Sequence, residues 1–291
     1  MISTATLVQA IVSGIAMGLI YSLVGIEYTL IWNTTGMLNF AHGKVITFCG
    51  YLFGALCLKQ MGLPLVWSLI LALVLAAILA LLMSSSIFIP LRTKDNLCCI
   101  LATVMAGKIL YEAMRLIWGA FNVGIDNYFP GTINIFGATL PATYIYVLAI
   151  AFVMVVALQI FLNKTKIGKG MKCVSQNKNA ASLMGINVTR YMRIATILSF
   201  VVCCFLSILL IPLITLSKEM AEMIALKGFA AGIVGGFGLI PGCTVGGVIL
   251  GVVENLACIV IPSGYKDVVA FVLLIGFLLI KPSGILGKKA K

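Results

Sequence analysis

A small set of polar side chains stands inside long apolar segments, and these are the residues that could contact a polar solute. Asn39 and His42 lie in the stretch Gly36–Lys44, and His42 is the only histidine in the chain. Glu27 comes shortly before this stretch, and Glu254 lies in a late apolar segment. Amide, imidazole and carboxylate groups are costly in an apolar surrounding unless something pairs with them. Each of the four therefore indicates either a polar pathway or a structural partner.

Two interpretations stay open for the interruption around Asn39 and His42. Gly36 and Gly43 bracket it, as expected of a broken or re-entrant helix. Irregular backbone at membrane depth is tolerated only where it lines a cavity or is buried in protein. The stretch is thus either a wall of a translocation path or a short cytoplasmic turn at the interface. Glu27 likewise either faces the bundle interior or reaches the lipid headgroups, and the second is our interpretation.

The composition is that of a polytopic α-helical membrane protein. The chain is 62% hydrophobic and 10% charged, and runs of about 20 apolar residues, the length that crosses a bilayer, recur along it. We predict an all-α transmembrane bundle of eight or nine spans in a single domain, residues 1–291. The predicted spans lie near 7–31, 43–59, 65–88, 97–118, 141–162, 194–216, 221–240, 243–262 and 266–281. The seventh and eighth could instead form a re-entrant pair.

The basic segment 163–193 decides the predicted orientation of the chain. It holds seven of the twenty Lys and Arg residues and no acidic residue. Basic loops between spans stay on the cytoplasmic side, so we place this segment there. With nine spans the C-terminal lysines from Lys281 onward fall on the same side. The net charge of +12 is therefore a topology signal, and we predict no binding of nucleic acid.

A short amphipathic helix is predicted inside this segment. Asn179–Arg190 is rich in Ala, Ser, Leu and Met, with an N-cap expected at Asn177 or Asn179 and a stop at Gly185. A short helix presented to the cytoplasm from the middle of a membrane protein is a docking surface for a soluble partner.

Glycines dominate the late stretch Gly228–Gly251 at spacings of three and four residues. Such spacing lets helix backbones approach closely, and the central Gly238–Gly242 predicts a turn. The glycines that we assign to helix packing are Gly228, Gly232, Gly236, Gly242, Gly246, Gly247 and Gly251.

The motifs of an enzyme are missing from the sequence. There is no phosphate-binding loop of the Walker type, no HExxH, no GxSxG and no second histidine to build a metal or catalytic pair. The nine cysteines have no metal-ligand spacing. We predict no catalytic residue, no metal site and no hydrolysis of ATP by this chain itself.

Three stretches carry a resemblance to a known family. They are Gly18–Leu23 running to Asn39–Gly43, Gly168 with Ala180–Asn187, and Lys227–Ala231 with Gly235–Gly242, Gly246–Gly247 and Gly251–Glu254. Together they resemble the permease subunits of branched-chain amino-acid ABC importers, and the H-type subunit in particular. They occur in the order and spacing of that family, so the resemblance covers essentially the whole chain.

The resemblance implies a permease subunit of an ATP-driven importer in the bacterial cytoplasmic (inner) membrane. Its expected partners are a homologous second permease of the M type, two cytoplasmic ATPases that use ATP and Mg, an external substrate-binding protein and membrane lipid. No cofactor is expected on this chain. The segment 163–193 matches the ATPase-coupling segment of the family. The coupling residues so implied are Gly168, Ala181, Leu183, Gly185 and Ile186.

The expected substrate is a branched-chain or related hydrophobic amino acid. Its zwitterionic head would contact Asn39, His42 and Glu254, with Glu27 beside the same pathway. An ABC permease for urea or another small polar solute is the alternative. A secondary transporter or channel that works without ATPases is a further alternative of another class.

Three positions depart from the family pattern and bear on the substrate and on the coupling. Glu27 stands where a small residue, usually Gly, is expected, and Lys44 stands where an acidic residue is usual. Gln176–Asn177 replaces an acidic residue that commonly precedes the coupling segment.

Overall fold

Most apolar segments form α-helices in the computed structural model, which describes residues 4–135, 138–281 and 283–287. The helices are α1 (Thr4–Thr35), α2 (His42–Gly50), α3 (Leu65–Met83), α4 (Asn96–Trp118), α5 (Ala142–Lys164), α6 (Lys166–Gln176), α7 (Lys178–Leu183), α8 (Val188–Leu210), α9 (Glu222–Gly235), α10 (Ile240–Ala257) and α11 (Lys266–Ile280). Helix α2 continues through the π-helical turns of Tyr51–Gln60. Helix α3 continues through Ser84–Phe88 and a 3₁₀ turn at Pro90–Thr93. The C-terminal lysines Lys288, Lys289 and Lys291 lie outside the described residues.

Six of the described helices are long and apolar enough to cross a membrane. They are α1, α3 with its extension to Thr93, α4, α5, α8 and α10. A polytopic helical chain is therefore confirmed, while the count of eight or nine spans stays a prediction. The other predicted spans coincide with α2 and its continuation, with α9 and with α11. Helices α9 and α11, of 14 and 15 residues, are about 21–23 Å long and shorter than a bilayer core.

A two-stranded antiparallel sheet adds an element that the all-α prediction lacked. Strand β1 (Thr132–Ile135) pairs with β2 (Ala138–Pro141), with Thr132 opposite Pro141 and Ile133 opposite Leu140. The alternating side chains of β2 are buried and exposed in turn. This hairpin immediately precedes α5, inside the stretch that separates α4 from α5.

Helix α8 begins and ends six residues earlier than the predicted span 194–216. The residues at its two ends, and not the apolar run, fix its limits. The side chain of Asn187 accepts a hydrogen bond from the backbone N–H of Arg190 at 3.1 Å, which starts the helix there. The helix ends just before Pro212, which has no N–H to continue the hydrogen-bond ladder. From residue 211 to residue 221 the chain forms turns and a single β-bridge between Leu216 and Val123.

The chain divides into two compact units. Unit 1 takes in the chain up to Thr29, Asn127–Gln159 and the chain from Met223 onward. Unit 2 takes in Leu30–Asp126 and Ile160–Glu222. Within unit 2, α2 packs against α4 and α8, and α3 packs against α8. Within unit 1, α10 packs against α11.

In unit 1, α1 and α10 cross at glycines contributed by both helices. A β-carbon at Gly247 would lie 2.6 Å from the backbone nitrogen of Ser22 and 2.7 Å from the carbonyl oxygen of Gly18. A β-carbon at Gly18 would in turn lie 2.7 Å from Cα of Val248. The hydroxyl of Ser22 donates across the crossing to the carbonyl of Thr244 at 3.0 Å. Backbones reach this separation only where no side chain stands between them.

The other glycines assigned to packing also lie in unit 1. The neighbours that their β-carbons would meet are Val24 and Tyr21 for Gly228, Gly25 and Phe237 for Gly232, Gly287 for Gly236, Gly235 for Gly242, Ala231 for Gly246, and Gly14 and Gly18 for Gly251. Gly236 also adopts φ +116°, a conformation that the turn between α9 and α10 needs and that other residues rarely take.

Replacing Gly247 by alanine tests this crossing. We expect Gly247→Ala to lower the free energy of unfolding by about 1–3 kcal/mol, because the added methyl group forces two backbones apart. The measurement is denaturation of the purified chain in mixed detergent micelles. Gly276→Ala in α11 is the matched control, since nothing lies within 4 Å of its β-carbon; it should be neutral or stabilise by up to about 1 kcal/mol. Equal stabilities of the two variants would contradict the close crossing.

Candidate functional site

The interruption between α1 and α2 lies beside the first half of a span-length helix in unit 2. The backbone N–H of Phe40 donates to the hydroxyl of Thr103 at 3.3 Å. Thr103 follows the start of α4 by seven residues, which is about 10 Å along a helix axis. The stretch from Gly36 to Ala41 therefore lies at membrane depth if α4 spans the bilayer, which favours the re-entrant interpretation over a cytoplasmic turn.

Asn39 holds this interruption in shape with one end of its amide. Its Oδ1 accepts a hydrogen bond from the backbone N–H of Ala41 at 3.0 Å, and the side chain is 1% exposed. Its Nδ2 has no hydrogen-bond partner among the residues that the structure describes. A buried amide donor with no partner is costly, so this group is available to a solute that reaches it.

His42 and Glu27 are both fully buried. His42 is the first residue of α2, and its Nδ1 lies 4.0 Å from Sγ of Cys203 on α8. Glu27 lies in the part of α1 that belongs to unit 1. The interpretation that Glu27 reaches lipid headgroups is wrong, because a carboxylate without exposed surface does not reach them.

Glu254 is part of a buried ion-pair network in unit 1. Its carboxylate pairs with the ammonium group of Lys227, and Lys227 Nζ also lies 2.5 Å from Oδ1 of Asp267. Lys266 Nζ is 3.8 Å from Glu254 Oε1. The aromatic ring of Tyr21 lies below Lys227, with Nζ 5.8 Å from the ring centroid. Glu254 thus joins α9, α10 and α11, so its surroundings are those of a structural ion pair.

The four predicted pathway residues fall in different units. Asn39 and His42 lie in unit 2, while Glu27 and Glu254 lie in unit 1. The sequence prediction missed the acidic partner Asp267, although its position at the start of α11 follows from the apolar run after it.

The basic segment contains two helices and the beginning of a third. Helix α6 is capped by Thr165, whose hydroxyl accepts the N–H of Gly168 at 3.0 Å. Helix α7 is capped by Asn177, whose Oδ1 accepts the N–H groups of Asn179 and Ala180, both at 3.0 Å. The predicted N-cap at Asn177 and the predicted stop at Gly185, which has φ +78°, are confirmed. A new helix, α8, begins after Asn187.

The end of α7 presents two apolar side chains to the outside. Leu183 is 88% exposed and Met184 is 83% exposed. Gly185 is exposed and has nothing within 4 Å of its β-carbon position, and Ile186 is half-buried. Met184 was not among the predicted coupling residues, although it neighbours Leu183. Burial of an apolar side chain of this size against a partner protein lowers the free energy of the complex.

Two of the predicted coupling residues are buried within the chain itself. Ala181 is 4% exposed, on the inner face of α7. A β-carbon at Gly168 would lie 2.6 Å from the carbonyl oxygens of Phe161 and Leu162, so Gly168 allows α6 to turn sharply from the end of α5. Ala181 and Gly168 are therefore packed within the chain itself and support the segment that carries Leu183, while their part in coupling to an ATPase stays a prediction.

Lys178 connects α7 to the end of α1 within unit 2. Its ammonium group donates to the carbonyl oxygen of Thr35, the last residue of α1, at 2.5 Å. Burial lowers the pKa of Lys178 from its ordinary value, because dehydration disfavours the ammonium form. Gly36 follows Thr35 and has φ +74°. Its backbone N–H donates to the carbonyl oxygen of Trp32 at 2.7 Å, which ends α1. The exposed segment is thereby connected to the turn that holds Asn39.

Comparison with known proteins identifies the family. The family model described as "Branched-chain amino acid transport system / permease component" matches residues 10–278. The chain belongs to this family. The permease protein LivH of the high-affinity branched-chain amino acid transport system of Salmonella typhimurium is 29% identical over 96% of this chain and 95% of its own. BraD of Pseudomonas aeruginosa, named as a permease protein of the same kind of system, is 28% identical over the same shares. The family resemblance and the permease function are thus confirmed.

A solved structure shares the fold of this permease. PsaBC from Streptococcus pneumoniae in complex with Fab aligns with a TM-score of 0.57 at 15% identity. The alignment covers 96% of this chain and 92% of that one. At this identity the likeness concerns the fold alone.

Proposed function

We propose that this permease is the H-type subunit of an ATP-driven ABC importer in a bacterial inner membrane. It pairs with a homologous M-type permease and carries two cytoplasmic ATPases, which bind ATP and Mg. An external binding protein delivers a branched-chain or related hydrophobic amino acid. The relatives named above are permeases of branched-chain amino acid transport, which supports this substrate class.

The observation that carries the proposal is the exposed pair Leu183 and Met184 at the end of α7. The pair lies in the basic segment, which charge distribution favours on the cytoplasmic side. Asn177 and Gly185 define where the short helix begins and ends. A rigid, capped helix with an apolar tip fits a groove on an ATPase subunit. Movement of that subunit would then be passed to the spans on either side of the segment.

The test is to express the chain with its transporter partners, purify it through an affinity tag and reconstitute it in proteoliposomes. We expect two ATPases and a second permease to co-purify, and leucine uptake to require ATP inside and the binding protein outside. Uptake without ATP by the chain alone would overturn the proposal. Co-purification without any leucine uptake would overturn the substrate class while leaving the machine intact.

Lys178 supplies a sharper test of coupling. If its bond to the Thr35 carbonyl forms in only one of the transport conformations, its loss shifts the equilibrium by at most the strength of that bond. A hydrogen bond from a charged group is worth about 1.5 kcal/mol, which corresponds to about a tenfold change. We expect Lys178→Met to lower ATP-driven uptake by about tenfold while the ATPases still co-purify. Uptake rate per complex is the measurement.

Lys169→Met is the matched control for this experiment. Lys169 is an exposed lysine of α6 in the same basic segment, so it tests the loss of one positive charge without the loss of the bond to α1. The control should keep uptake within about twofold of wild type, as expected of surface substitutions. Equal uptake by the two variants would remove Lys178 from the coupling path.

A further inference from the structure

An ion pair in unit 2 lies at membrane depth and keeps half of its acidic partner exposed. Lys44 Nζ is 2.9 Å from Oε2 of Glu222, and its side chain is 11% exposed while that of Glu222 is 52% exposed. Lys44 also lies over the ring of Tyr111, with Nζ 4.7 Å from the centroid. Tyr111 precedes the end of α4 by seven residues, or about 10 Å. In a helix of about 35 Å, this position is inside a hydrocarbon core of about 30 Å.

A half-exposed carboxylate at this depth needs a polar surrounding. Contact with lipid chains is costly for an ionised side chain, and such groups face a water-filled cavity or a partner.

The charges in this place match the head of an amino acid. We infer that Lys44 and Glu222 form a head-group subsite on the translocation path, where Lys44 binds the α-carboxylate and Glu222 binds the α-ammonium group of the substrate. The proposal rests on the proposed function, since it names the contacts that an amino-acid importer needs inside the membrane.

A further donor lies in the adjoining turn. Asn39 is five residues before Lys44, and its buried Nδ2 has no partner among the residues that the structure describes. Gly107 lets α4 lie close to this region, since a β-carbon there would be 3.5 Å from Cα of Ala41 and 3.5 Å from Cγ of Lys44. The turn and the ion pair thus lie along the same side of α4. Asn39 therefore offers a second polar group further along this side of α4, beside Thr103, whereas Lys44 lies beside Tyr111.

The test compares single and double neutral variants in the reconstituted complex. If the ion pair is purely structural, Lys44→Met or Glu222→Gln alone lowers leucine uptake, because one charge is left unpaired. The double variant then regains uptake, because no charge is left unpaired. If the pair is a head-group subsite, the double variant does not regain uptake, because both contacts to the substrate are missing. We expect Lys44→Met/Glu222→Gln to take up leucine at least tenfold more slowly than wild type, with both permeases and the ATPases still associated. The double variant Arg115→Met/Glu112→Gln is the control, because it removes an ion pair next to Tyr111 on α4 whose carboxylate is similarly exposed, and leaves Lys44 and Glu222 in place.

Each result of this test distinguishes the subsite from a structural ion pair or from a subunit interface. Wild-type uptake by the Lys44–Glu222 double variant would overturn the subsite and leave a structural pair. Loss of the second permease from the complex would overturn it in favour of a subunit interface. Slow uptake with an intact complex, beside a control within twofold of wild type, supports it. Failure of the proposed function would show earlier, as absence of ATP-dependent leucine uptake by the wild-type complex.

Discussion

Lys227→Met is expected to lower the free energy of unfolding by about 3–5 kcal/mol, since it leaves a buried carboxylate without its main cation. Glu254 is fully buried, and Lys266 is the next ammonium group at 3.8 Å. Asp267 loses the same partner, but its side chain is 43% exposed and water can solvate it. The damage therefore centres on Glu254 and on the junction of α9, α10 and α11.

The measurement is unfolding in detergent, followed by a thiol-reactive fluorophore. Five cysteines with no exposed surface report the loss of structure: Cys49, Cys57, Cys203, Cys204 and Cys243. Lys227→Met/Glu254→Gln removes both buried charges and should regain most of the lost stability. Arg115→Met is the exposed control and should cost no more than about 1 kcal/mol. A double variant as unstable as Lys227→Met would contradict the pairing.

Leu183→Asp/Met184→Asp is expected to release the ATPases from the complex. Burial of each apolar side chain contributes about 1.5–3 kcal/mol, so loss of both weakens association by at least about 100-fold. The fold of the chain should be unaffected, because both side chains are exposed in the isolated subunit. Co-purification of ATPases from mild detergent measures the association.

The matched control for this experiment is Val260→Asp. Val260 is 81% exposed and lies between α10 and α11, on the side that the predicted topology places outside. It tests the effect of an acidic residue at an equally exposed apolar position. Retention of the ATPases by the variant of Leu183 and Met184 would assign the docking surface elsewhere. Their loss from the Val260 variant as well would indicate a general defect.

Local signals in the sequence accounted for much of the fold. The apolar runs located the long helices, and Asn177 and Gly185 marked the two ends of α7 as side-chain capping and left-handed backbone require. Asn187 is a further N-cap, and α8 begins after it.

Contacts between distant residues were beyond this reasoning. Lys44 and Glu222 are paired although 178 positions separate them, and no local pattern indicates which carboxylate a lysine meets. The exposure of individual side chains in α7 also does not follow from local sequence. Ala181 and Leu183 are two residues apart, yet one is buried and the other almost fully exposed, because the direction of α7 depends on what it packs against.

The crossing of α1 and α10 has a consequence for biosynthesis. Gly18 emerges from the ribosome early, whereas Gly247 emerges only after nearly all of the remaining helices. Until then the glycine face of α1, with the hydroxyl of Ser22, has no α10 to receive it. The packing of unit 1 is therefore completed late, after the translocon has inserted most of the spans. In a nascent chain stalled before residue 240, the glycine face of α1 stays open to other membrane helices.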